Sequence, residues 1–128
     1  MVKKEKKTVE EILNNLEPKQ KETTQKLRLL IKKSVPETVE IIRQKNITYT
    51  LNGKDFVWLT QAKDHVDLEF LMGSAIDSDL LRDKGGKDKP ETVRHVEVRG
   101  FERLEPELAR LLRDAARVGL EHCSSPAP

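Results

Sequence analysis

The stretch Ile47–Met72, ITYTLNGKDFVWLTQAKDHVDLEFLM, decides the fold. Ile47, Tyr49 and Leu51 alternate with Thr48 and Thr50. A period of two places the apolar side chains on one face of a strand. Asn52-Gly53 follows, and both residues tolerate the positive φ of a type I′ turn. The return strand is predicted over Lys54 to Gln61, and Lys63-Asp64 is predicted as a second tight turn. Val66, Leu68, Phe70 and Met72 then alternate with His65, Asp67, Glu69 and Leu71. That pattern predicts a strand with one face buried and one face wet.

Upstream of this meander, Val39 to Arg43 is β-branched and apolar and reads as a further strand. Two helices precede it. Thr8-Val9-Glu10-Glu11 matches a capping box, with Val9, Ile12, Leu13 and Leu16 on one face. Glu17-Pro18 breaks that helix and starts the second, which carries Leu27, Leu30 and Ile31 and ends before Pro36. Downstream, Gly73-Ser74-Ala75 ends the meander and Asp77 to Leu81 has room for one helical turn. Arg82 to Pro90 has no periodicity and reads as a loop. A last strand is predicted from Thr92 to Arg99, with Val96 and Val98 inward. The closing helix is predicted from Glu105-Pro106, with Leu104, Leu108, Leu111, Leu112, Ala115 and Val118 as its apolar stripe. The sum is an α+β fold of two layers: an antiparallel sheet of about five strands packed against N-terminal and C-terminal helices. One domain is predicted over residues 8–121, between a basic arm (1–7) and a disordered tail (122–128).

Composition bounds the function. The chain has 128 residues, of which 24 are Lys or Arg and 22 are Asp or Glu, a formal net charge of +2. Residues 1–34 hold 10 basic and 5 acidic side chains, and residues 35–128 hold 14 and 17. The excess positive charge therefore sits largely on Lys3, Lys4, Lys6 and Lys7, which makes nucleic acid an unfavoured partner. No run approaches the roughly 18 apolar residues of a membrane span. Cys123 is the only cysteine, so there is no disulfide scaffold, and no apolar stretch follows the first lysines as in a signal peptide. The expected location is cytoplasmic.

One constellation suggests chemistry. His65, Asp67 and Glu69 fall on one strand face about 7 Å apart. The last strand offers His95 and Glu97 opposite Val96 and Val98. If the two strands are neighbours, five potential ligands for a divalent cation share one sheet face. The plainer reading is that these are the polar positions of half-buried strands. Lys84-Gly85-Gly86-Lys87 departs from the phosphate-binding Gly-x-x-x-x-Gly-Lys-Ser/Thr pattern and reads as a solvated loop. No serine sits in a nucleophile elbow, and no acid–base pair can be assigned, so the expectation is a protein that is not an enzyme. Tyr49, Phe56, Trp58 and Phe70 are expected in the core.

The order of these residues resembles the YdhG-like family, small bacterial and archaeal domains mostly of unknown function. The resemblance is carried by Thr8-Val9-Glu10-Glu11, Leu27-Arg28-Leu29-Leu30-Ile31-Lys32 before Pro36-Glu37, and Tyr49-x-Leu51-Asn52-Gly53-Lys54. It continues in Lys63-Asp64-His65-Val66-x-Leu68-x-Phe70, Gly73, Gly85-Gly86-Lys87, Val93-Arg94-His95-Val96 and Leu111-Leu112-Arg113-Asp114-Ala115. It covers about residues 8–120. The family often has Trp-x-x-Pro-x-Tyr, whereas Gln44 and Ile47 stand before Tyr49 here. The resemblance implies an α+β domain with an antiparallel sheet on helices. Some members resemble frataxin in architecture and are described as intracellular iron chaperones. It therefore implies iron as a candidate cargo, with Asp67, Glu69 and Glu97 as sheet-face ligands beside His65 and His95. The alternative is a module that binds a protein or small ligand without metal, in a groove between the sheet and residues 82–90.

Overall fold

In the computed structural model of the protein, Asn52 and Gly53 take positive φ values of 54° and 80°. These are the angles a two-residue type I′ hairpin requires. They join β2 (Asn46–Leu51) to β3 (Lys54–Gln61), with Leu51 paired to Lys54. The structure describes residues 8–43, 46–62, 65–82 and 93–123. The basic arm, the Lys63-Asp64 turn, the Gly85-Gly86 loop and the chain after Cys123 lie outside them.

β1 (Val39–Arg43), β4 (Val66–Phe70) and β5 (Arg94–Val98) complete one antiparallel sheet in the order β1-β2-β3-β4-β5. Every strand pairs with its sequence neighbour, so the sheet is a simple meander. Between Tyr49 and Thr50 the register slips, which leaves Phe56 without a residue directly opposite. Such a bulge lets consecutive residues turn inward, and both Phe56 and Val57 are buried.

α1 (Val9–Asn14) and α2 (Pro18–Ser34) precede the sheet, and α3 (Phe101–Cys123) follows it. The Thr8 capping box forms as expected: Glu11 N–H donates to Thr8 Oγ1 at 3.1 Å, and Thr8 N–H donates to Glu11 Oε1 at 2.8 Å. The core lies between the helices and one sheet face. It joins Leu27, Leu30 and Ile31 of α2 to Leu108, Leu111 and Leu112 of α3 and to Tyr49, Leu59, Leu68, Phe70 and Val96.

Three local expectations shift. α3 begins at Phe101 rather than near Glu105-Pro106, and Pro106 lies within the helix. Burial of Phe101 in the core and the Lys26–Glu102 ion pair anchor this earlier start. A proline in the second turn forfeits one backbone hydrogen bond, and tertiary packing outweighs that loss. Residues 77–81 form turns and no helix, while a single 3-10 turn occupies Gly73–Ala75. The last helix reaches Cys123, past the expected domain end at 121.

Gly73 marks a close approach. A Cβ there would stand 2.5 Å from Arg94 Cβ and 3.0 Å from Arg94 N. Gly73→Ala is expected to cost about 1–3 kcal/mol in chemical denaturation, because the β5 backbone would have to move. At Gly100 the nearest atom is Arg103 Cδ at 3.9 Å. Gly100→Ala should therefore change stability by no more than about 0.5 kcal/mol. Equal effects at both sites would contradict the proposed clash.

Candidate functional site: the polar face of β3, β4 and β5

The sheet has a second face, opposite the core. Pairing sets two rungs across it: Thr60–Asp67–Glu97, and Trp58–Glu69–His95, the latter extended by Thr48 on β2. All of these side chains point away from Leu59, Leu68 and Val96, because neighbours along a strand alternate. His65 precedes β4 by one residue and joins the same face.

β4 is buried on both faces, which corrects the expectation of a wet side. Asp67 is 3% exposed, Glu69 0% and His95 5%. A carboxylate taken out of water is costly unless hydrogen bonds or opposite charges compensate. Here Thr60 Oγ1 donates to Glu69 Oε2 at 2.6 Å. His65 Nε2 lies 2.9 Å from Asp67 Oδ1. His95 exchanges backbone hydrogen bonds with Arg82 at 2.9 Å in both directions. Its Nδ1 also sits 3.1 Å from the Arg82 carbonyl oxygen, so Nδ1 carries the proton there. Nε2 of the same ring is 3.7 Å from Glu97 Oε2.

Glu97 lies at the rim. Its modest burial works to raise the carboxyl pKa, but the hydrogen bond from Arg99 and the charges of His65, Arg99 and Arg82 outweigh it and hold the group below its usual range. The end of the site is braced from the helical layer. Gln20 Nε2 donates to the backbone oxygens of Ala62 and His65, the second at 3.2 Å.

The five residues singled out from sequence thus share one face, as neighbours in register. They settle into pairs, His65 with Asp67 and His95 beside Glu97, with Glu69 held by Thr60. Among the described residues no three His, Cys, Asp or Glu side chains converge as a metal-holding group. Three contributors escaped the sequence reading. Thr60 was legible only once β3 was paired with β4, Arg82 only from its bridge to His95, and Trp58 departs from the core expected of it. Its even-numbered place on β3, out of step with Val57 and Leu59, was the available signal.

A second, half-buried network lies at the other edge, on the core side. Arg28 on α2 makes two hydrogen bonds to the Glu40 carboxylate on β1, both at 2.9 Å, and the Tyr49 hydroxyl donates to the same carboxylate. Burial alone would raise the Glu40 pKa, yet the hydrogen bonds from Arg28 and Tyr49 prevail and lower it. Burial, reinforced by the Glu40 charge, raises that of Tyr49.

Comparison with known proteins agrees with this architecture. The chain matches a crystal structure of a DUF1801-family protein, YdhG from Bacillus subtilis, with a TM-score of 0.65. The match covers 90% of this chain and 92% of that one at 19% identity, a likeness of fold. No protein of curated function matches the chain. Among the described residues no helix is long and apolar enough to cross a membrane. A family model described as a domain of unknown function, DUF5655, matches residues 9–117, and the chain belongs to that family.

Proposed function

We propose that this domain is a non-enzymatic binding module whose polar sheet face takes a cation, with ferrous iron as the candidate cargo. One observation carries the reading. The buried carboxylates and imidazole among the described residues, Asp67, Glu69 and His95, all lie on this one face. His65 and Glu97 flank them. Oxygen and imidazole donors suit a divalent first-row metal. Because the groups are paired in the described state, binding would exchange His65–Asp67 and His95–Glu97 contacts for bonds to the ion. That exchange predicts weak, delivery-type affinity rather than a tightly held centre.

Anaerobic calorimetric titration of the apo protein with Fe²⁺ tests this. Saturable heat is expected, lost in the His65→Ala/Asp67→Ala/Glu69→Ala variant. Affinity should fall with pH as the imidazoles and carboxylates take up protons. No saturable heat, or unchanged binding by the triple variant, would overturn the metal site. The pairing of the five groups favours the second reading in that case, a module for a protein or small ligand without metal.

A further inference from the structure

The helical layer, on the opposite side of the molecule from the polar face, contains a groove of about 350 Å³ between α2 and α3. Its apolar lining is Leu30, Pro106 and Ala109. Lys33 on α2 and Arg113 on α3 stand on its walls with Ser34, and Glu105 completes the lining. Lys26 meets Glu102 earlier on the same seam, so the two helices run in the same sense along it. Arg113 therefore lies about 12 Å beyond Glu105, at 1.5 Å per residue. Lys33 is on the last turn of α2, seven residues past Lys26 as Ala109 is seven past Glu102, so it falls between Glu105 and Arg113 along the seam.

Lys26, Arg28 and Arg110 are each matched by carboxylates. Lys33 and Arg113 take part in no ion pair among the described residues. Two unmatched cations against one carboxylate, beside apolar Leu30, Pro106 and Ala109, leave the groove net positive. We infer that this groove binds small amphipathic carboxylates, the head group between Lys33 and Arg113 and the short alkyl chain over Leu30, Pro106 and Ala109. A guanidinium fork recognises a carboxylate with two parallel hydrogen bonds. The volume is at the small end for ligand pockets, which suits a short chain.

An amide-resolved NMR titration with sodium octanoate tests the proposal. Saturable shifts are expected at and around Leu30, Ser34, Ala109 and Arg113. Hexanoate should bind about tenfold more weakly, for two fewer buried methylenes. Octylamine should produce no saturable shift at these positions. Lys33→Glu/Arg113→Glu changes two exposed side chains, and it should weaken octanoate binding at least about tenfold while leaving the spectrum otherwise folded. Ala109→Phe, which fills the groove without touching a charge, should also abolish the shifts. The proposal is overturned by shifts that stay linear or spread over the molecule, by equal binding of octylamine, or by a charge-reversed variant that binds as well as the parent.

Discussion

Phe70→Ala is expected to lower stability by about 3–5 kcal/mol, read as a reduced urea midpoint with an unchanged slope. A domain of this size is held by about 5–15 kcal/mol, so a large share would be lost. The reason is position. Phe70 is fully buried in the interior strand β4, with Val57 opposite on one side and Arg94 on the other. It belongs to the cluster that joins the sheet to both long helices. Truncation removes the transfer free energy of the ring and leaves a cavity that paired strands on both sides cannot close. Leu29→Ala is the control. Leu29 is 72% exposed, and its truncation should change stability by no more than about 0.5 kcal/mol. Comparable losses at both positions would show that the core is placed wrongly.

Glu40→Ala ranks next, at about 2–3 kcal/mol, because it strands two partners. The Arg28 guanidinium loses both of its hydrogen bonds to the carboxylate, and the buried Tyr49 hydroxyl loses its acceptor. The network also fixes edge strand β1 to α2, across 12 residues of chain. Its pH dependence has a definite sign. The folded-state pKa of Glu40 is depressed. Its contribution is thus fully present above the unfolded carboxylate value of about 4.3 and is lost as pH falls through the lower folded value. The difference between parent and Glu40→Ala should be constant from neutral pH to about pH 5 and shrink below about pH 4. A difference that instead grew on acidification would contradict the assignment. Tyr49 behaves in the opposite sense. Its pKa is raised, so the phenol keeps its proton as a donor, and that contribution is lost only as pH rises above the ordinary phenol range. A double-mutant cycle with Arg28→Ala should return a coupling of about 1–3 kcal/mol.

Much of the fold is legible because its signals are local. Asn52-Gly53 encodes its own turn, since few residues besides Asn and Gly accept positive φ at both central positions. The Thr8 to Glu11 box closes within one helical turn. Alternation in Val66–Phe70 and Arg94–Val98 separates the core-facing residues from Asp67, Glu69, His95 and Glu97. The start of α3 was missed because Pro106 is a strong local stop, while the anchors Phe101 and Lys26–Glu102 are tertiary. Period two says which residues share a face. It does not say whether that face is covered, and β4 is buried on both. Nor can it reveal that Thr60 reaches Glu69 or that Arg28 reaches Glu40, since those contacts depend on strand register and helix placement.

By itself, then, the sequence determined the strands, the hairpin, the helix faces and two polar rows, His65-Asp67-Glu69 and His95-Glu97. Hydrophobic periodicity and turn chemistry act over a few residues, and the chain carries them wherever it goes. Only the tertiary structure decided that those two rows lie side by side, that Asp67, Glu69 and His95 are buried, that they pair instead of converging, and that Lys33 and Arg113 line one groove. The physical reason is that burial and electrostatic partnership are properties of surfaces brought together from distant segments. The free energy of a charge depends on what surrounds it, not on its neighbours in the chain.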